Sequence, residues 1–155
     1  MKIKWKPLLI CLAIPLGVGG LGALLGGGMA SYGNLNQPPL SPPGWVFPIV
    51  WSILYLLMGY ASYRVYTSEA DRQDKRKALT FYAIQLFLNF LWPAVFFGLH
   101  WYWAAFVLLV ALWVMIYLTM YHFGAIDDWA ENLLIPYLLW VTFAGYLNLG
   151  VALLN

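Results

Sequence analysis

Charged side chains are scarce: Asp, Glu, Lys and Arg make up 9% of the 155 residues, where a soluble domain carries about 25%. That scarcity excludes water as the main solvent, because a soluble core of this length would leave too much Trp, Phe and Leu uncovered. Cysteine is nearly absent. Cys11 stands alone in an apolar run, so no intramolecular disulfide and no cysteine-based metal site can form. The two histidines, His100 and His122, are far apart in sequence and offer no metal-ligand spacing, so no metal is expected. Ser–His–acid sets, a glycine-rich phosphate loop after a strand, and paired intramembrane carboxylates are all missing, which leaves a poor catalytic inventory. An ion pump or proton-coupled transporter would need an ionisable residue deep inside the apolar segments, and every Asp, Glu, Lys and Arg stands at or beyond a segment end. The net charge of +2 is too small to suggest a partner, and no nucleic acid is expected. Internal repeats and a separate soluble domain are lacking too.

What the chain does have is hydrocarbon. Hydrophobic residues make up 63% and aromatics 19%. A helix needs about 20 apolar residues to cross a bilayer, and five stretches qualify: roughly 7–29, 44–66, 79–98, 101–123 and 131–154. Residues 79–123 are nearly continuous, but as one helix they would run about 65 Å, too long for one crossing. The chain must therefore fold back, and Gly98 is the natural break. The expected fold is all-α: a single membrane domain over residues 1–155, a five-transmembrane-helix bundle with almost nothing outside the bilayer. The start of the chain resembles a signal peptide superficially, but its apolar run is about twice the usual length, so it reads as a retained first helix.

All eight basic residues fall on one side of this arrangement: Lys2, Lys4, Lys6, Arg64, Arg72, Lys75, Arg76 and Lys77. The positive-inside bias then puts the N-terminus in the cytoplasm and the C-terminus outside. Asp128 and Glu131 read as a capping box opening the fifth helix rather than as chemistry. The mixed-sign run Glu69–Lys77 reads as a solvated loop. On the first helix, Gly19, Ala23 and Gly27, with the pair Gly22/Gly26, would let a neighbouring backbone come close. Bundle packing and a homodimer interface both satisfy that pattern.

Polar side chains in hydrocarbon must find partners inside the bundle. Gln85, Asn89, Trp92 and Phe96 form one helical stripe. Pro136, Trp140, Ala144 and Asn148 form a second at steps of four. Pro48, Trp51 or Ser52, Tyr55, Gly59 and Ser62 or Tyr63 form a third. A single such stripe is ordinary helix glue. Three that converge, with Gly and Ala making room, suggest an internal pocket for a flat apolar ligand, held by stacking and oriented by a few amides.

Three long segments resemble a known family. Pro42-Pro43-Gly44-Trp45-Val46-Phe47-Pro48-Ile49-Val50-Trp51, with Leu54-Tyr55 and Met58-Gly59-Tyr60-Ala61, looks like the second helix of the translocator proteins. These are also called tryptophan-rich sensory proteins, the TspO/MBR or peripheral-type benzodiazepine receptor family. Gln85 to Asn89, Trp92-Pro93 and Phe96-Phe97-Gly98 resemble its third helix. Leu133-Leu134, Pro136-Tyr137-Leu138, Trp140, Phe143-Ala144 and Leu147-Asn148 resemble its fifth.

The resemblance implies a five-helix bundle, often dimeric, with a ligand cavity roofed by the first loop. Its members bind porphyrins such as protoporphyrin IX and benzodiazepine- or isoquinoline-type drugs; mitochondrial relatives also bind cholesterol. Carried over, the ligand-binding residues would be Tyr32, Pro42, Phe47, Trp51, Tyr55, Asn89, Trp92, Phe96, Trp140, Phe143, Ala144 and Asn148. No cofactor is required, and porphyrin enters as ligand. The sterol pattern is incomplete, since no basic residue follows Tyr146, and Val107 stands where animal members tend to carry an acid. Three functions then compete: a sensory binder of tetrapyrroles; an enzyme degrading porphyrin in light, with Trp51 and Trp140 as the catalytic candidates; and a porphyrin transporter. The short N-terminus, without an Arg- and Ser-rich transit segment, points to a bacterial plasma membrane.

Overall fold

The structure is a computed structural model that describes residues 2–26 and 34–155. Among the described residues five helical spans cross the molecule, each long and apolar enough for a bilayer: Trp5–Leu25, Val46–Tyr66, Arg72–Gly98, Tyr102–Ile126 and Asp128–Leu154. This is an integral membrane protein. Helices α1 (Trp5–Leu25) and α2 (Val46–Tyr66) have 21 residues each, about 31 Å at 1.5 Å per residue, which matches the hydrocarbon thickness.

Helix α3 (Arg72–Pro93) starts earlier than its apolar content suggests. The segment read as a solvated loop is helical from Arg72 onward, since Arg, Gln, Lys, Ala and Leu favour helix and no Gly or Pro interrupts them. Its side chains stay exposed up to Lys77, apart from the half-buried Lys75. At the other end Pro93 lacks the N–H that would reach the Asn89 carbonyl. The next turn, Ala94–Gly98, widens to a π-helical turn, with Leu99 N–H reaching the Ala94 carbonyl at 2.9 Å. The reversal into α4 (Tyr102–Ile126) is made by His100, whose φ is +57°, and not by Gly98. Histidine is one of the few side chains enriched in that left-handed region.

The fifth span is two helices, α5 (Asp128–Leu133) and α6 (Ile135–Leu154). Pro136 cannot donate to the Asn132 carbonyl, so the helix breaks at Leu134. The cap is Asp127, one residue before the expected Asp128: its Oδ1 accepts the Trp129 N–H at 2.9 Å. Asp128 and Glu131 lie in the first turn, where negative charge is favourable. Asp127 also accepts from the Arg64 guanidinium, with Nε–Oδ2 at 2.7 Å, and so ties the end of α2 to the start of α5.

Helix α1 packs on α2 and α3, α3 on α4, and α4 on α6. Its glycines serve these crossings. A Cβ on Gly22 would stand 3.0 Å from the Phe90 carbonyl oxygen, and one on Gly26 2.7 Å from that of Pro93. Gly19 lies under the Tyr55 ring. Gly27 lies outside the described residues. The small-residue pattern is therefore spent inside the bundle at Gly19, Gly22 and Gly26. On the facing side, Pro15 leaves the Cys11 carbonyl without a helical partner, and Gly59 of α2 approaches it so closely that a Cβ would sit 2.7 Å away. The core is built from Leu54, Met58 and Val65 of α2, Leu86 of α3, Leu109, Leu112, Ile116 and Phe123 of α4, and Tyr137 and Val141 of α6. Trp103, Val107, Val110, Val114, Tyr117 and Tyr121 of α4 face outward.

Candidate functional site

A cavity of about 530 Å³ lies in the half of the bundle nearer the α3–α4 turn. That volume is in the range of small-molecule sites. Its walls come from five helices. Phe47, Trp51 and Tyr55 enter from α2, Asn89 and Trp92 from α3, Phe96 from the π-helical turn, and Trp140, Ala144 and Asn148 from α6. These nine of the expected residues meet around one space.

Three do not. Pro42 is half-buried but does not line the cavity. Phe143 is turned outward, into a shallow apolar groove between α2 and α6 shared with Val50, Ile53, Leu57, Pro136 and Leu139. Tyr32 lies outside the described residues. Pro136, the first member of the α6 stripe, is exposed on that outer groove, and its neighbour Tyr137 is buried in its place. Sequence reasoning also missed Leu16, Gly20 and Ala23 of α1, Trp45, Pro93, Phe97, and Leu109 and Leu112 of α4. The α1 residues carried the signal of small size, but small residues are read first as packing. Leu16, Gly20, Ala23, Trp45 and Ser52 are exposed as well as lining, so the cavity opens along the seam between α1 and α2.

The aromatic walls brace one another. Trp51 stacks on Tyr55 with centroids 5.6 Å apart and meets Tyr137 edge-on at 6.2 Å. Trp92 stacks on Phe96 at 4.9 Å, and Phe47 meets Trp140 edge-on at 5.8 Å. Such pairs hold ring orientation beyond what area burial provides.

Polar atoms are few and almost all are used. The Trp92 indole donates to Asn148 Oδ1 at 3.0 Å, and Asn148 Nδ2 donates to the Tyr102 carbonyl at 2.9 Å. The Tyr55 hydroxyl donates to Asn89 Oδ1 at 3.0 Å. Asn89 Nδ2 donates to the Tyr137 hydroxyl at 2.8 Å, and that hydroxyl donates to Gln85 Oε1 at 2.7 Å. Among the described residues one donor on the wall has no partner, the buried Trp140 Nε1, and no charged side chain lines the space. An apolar slot with aromatic faces, two amides and a spare indole N–H can hold a flat ring system.

A sequence profile of the TspO/MBR family matches residues 11–154. The chain belongs to this family. It is 40% identical over 150 residues to the tryptophan-rich protein TspO of Chlorobaculum tepidum, covering 96% of this chain and 95% of that one. The tryptophan-rich sensory protein of Cereibacter sphaeroides is 43% identical over 124 residues, 80% of this chain and 76% of its own. The sheep translocator protein is 35% identical over 151 residues, 96% and 89% respectively. Family membership fits the five-span architecture, and the cavity lies among the segments that carried the resemblance.

Proposed function

We propose that this protein is a membrane ligand-binding or sensory protein that takes porphyrins such as protoporphyrin IX, and other flat apolar molecules, into the cavity between its helices. The observation that carries this reading is the lining itself: Phe47, Trp51, Tyr55, Trp92, Phe96 and Trp140 around one apolar space. Stacking on such faces needs no metal ligand and no charge. We further infer a bacterial plasma membrane, with the basic end of the bundle in the cytoplasm, and a homodimer.

A second reading has a specific observation behind it. Trp51 and Trp140, the two indoles named as catalytic candidates, both face the cavity. A photoexcited porphyrin held there could take an electron from an indole without acid–base help. One experiment addresses both readings. Protoporphyrin IX is titrated in the dark by tryptophan fluorescence quenching, and its Soret band is then followed under fixed illumination. Saturable binding, weakened at least tenfold by Trp92→Ala, is expected; no saturable quenching would end the binding proposal. Trp51→Phe and Trp140→Phe retain a flat face, so they should keep most of the affinity. Bleaching in wild type that both variants lose would favour the enzyme. Equal bleaching in every sample and in a detergent control would remove it.

A further inference from the structure

The hydrogen bonds below the cavity form one directed chain: Tyr55 to Asn89 to Tyr137 to Gln85, linking α2, α3 and α6. Asn89, Tyr137 and Gln85 are at most 5% exposed, so water does not compete for these groups. Only the first two line the cavity, Tyr55 and Asn89. The chain ends at Gln85, where two buried polar atoms are left over: Gln85 Nε2 and the hydroxyl of Tyr82, three residues earlier on the same face of α3. Tyr82 lies within electrostatic reach of Tyr137 and comes near Ser62. Ser62 gives its own proton to the Gly59 carbonyl at 2.8 Å, and its oxygen remains able to accept.

A buried unmade hydrogen bond is costly, and an amide can turn over, exchanging oxygen and nitrogen at the same two positions. If both amides turn, every link survives in the opposite sense. Gln85 Nε2 then donates to Tyr137, Tyr137 donates to Asn89 Oδ1, and Asn89 Nδ2 donates to Tyr55. Gln85 Oε1 then becomes the atom without a partner. The consequence is felt at the cavity. In the first sense the Tyr55 proton is committed to Asn89, so a ligand meets an oxygen that can only accept. In the second sense the proton is free and Tyr55 can donate.

We propose that Gln85, a residue outside the cavity, is a positioning residue that sets whether the cavity floor offers a ligand a hydrogen-bond acceptor or a donor. The relay gives one apolar pocket two polar complements, so it takes flat ligands carrying an N–H and flat ligands carrying a carbonyl. The ligand half of this proposal rests on the reading that the cavity holds flat apolar molecules; the relay itself does not.

The test therefore has two readouts. Ultraviolet resonance Raman, as the difference between each protein and its Tyr55→Phe version, reports whether Tyr55 donates or accepts with no ligand present. Binding of carbazole, an N–H tricycle, against fluorenone, a carbonyl tricycle, reports the cavity. In wild type Tyr55 should read as a donor, and Tyr55→Phe should weaken carbazole by about fivefold while sparing fluorenone, one net hydrogen bond. Gln85→Met leaves Tyr137 without an acceptor, so Tyr55 should change from donor to acceptor and the carbazole-to-fluorenone preference should fall by about fivefold. Gln85→Leu carries the same prediction and replaces it if the methionine variant does not fold. Tyr82→Phe alters no link of the chain and should leave Tyr55 a donor. An unchanged Tyr55 Raman signature in the Gln85 variants, or a wild-type Tyr55 that protects neither probe over the other, overturns the relay. A Raman change with neither tricycle bound upholds the relay and removes the cavity reading instead.

Discussion

Asn148 shows how a single amide holds a membrane bundle together. At 1% exposure it accepts from the Trp92 indole and donates to the Tyr102 carbonyl, so α6 is fastened to α3 and α4 at one point. In hydrocarbon no water replaces a lost partner. Leucine has nearly the same volume but neither hydrogen-bonding group, and it would strand the Trp92 N–H. Asn148→Leu should therefore cost about 1–3 kcal/mol. The check is the thermal unfolding midpoint in a fixed detergent, and an unchanged midpoint would mean that the Trp92 indole finds another acceptor. The same residue shows why part of the site was readable and part was not. Counting back from Asn148 in steps of four gives Ala144, Trp140 and Pro136, but a helix turns about 100° per residue. Twelve residues drift by about 120°, which carries Pro136 round to the outer groove. Eleven residues drift by only about 20°, so Tyr137 comes inside, and it is the centre of the polar chain. The stripe Gln85, Asn89, Trp92, Phe96 spans eleven residues and stayed in register for the same reason.

At the level of the helix, the crossing of α1 and α3 is set by missing side chains. Gly22 and Gly26 bring α1 against the backbone of Phe90 and Pro93, and both of these contacts are with carbonyl oxygens that cannot move without bending α3. Gly26→Ala would place its Cβ 2.7 Å from the Pro93 oxygen, so the helices must part; overpacking of this kind costs about 1–3 kcal/mol. Gly20→Ala on the same helix meets nothing within 4 Å and serves as the control. Gly26→Ala should lower the unfolding midpoint and Gly20→Ala should leave it alone; equal effects would show that helix propensity, not the crossing, is being measured. The five spans were legible because each must contain a long apolar run whatever its neighbours do. Their ends were less so. Arg72–Ala78 is polar yet helical, because once α3 is formed its first turns can continue into water at little cost. The break at Leu134 depends on one absent N–H at Pro136, and the turn at His100 on a backbone angle that its side chain permits but does not announce. Which face of α1 meets the cavity and which meets α3 could not be read from small residues alone, since the same pattern serves both.

The whole molecule has two unlike ends. At one, Lys4 N–H donates to the Tyr63 hydroxyl at 2.8 Å, Lys75 Nζ reaches the Tyr66 carbonyl at 3.1 Å, and Arg64 pairs with Asp127. The contacts that close the start of α1, the end of α2 and the start of α5 therefore gather the eight basic residues on that side. At the other, Asn155 Nδ2 donates to the Asn36 carbonyl at 2.9 Å and the Tyr146 hydroxyl to that of Pro39 at 2.6 Å, so the first loop is latched to the end of α6 without any lysine or arginine. Basic flanks of short loops are retained on the cytoplasmic side during insertion, and five spans place the two termini on opposite sides. The expected orientation has Gln73 inside and Asn155 outside, and both side chains are exposed. In a Cys11→Ala background, Asn155→Cys should react with a membrane-impermeant maleimide on intact cells, whereas Gln73→Cys should react only after lysis. Labelling of Gln73→Cys alone on intact cells would reverse the assignment. Labelling of both would mean a mixed population, which a distribution of eight basic residues against none argues against.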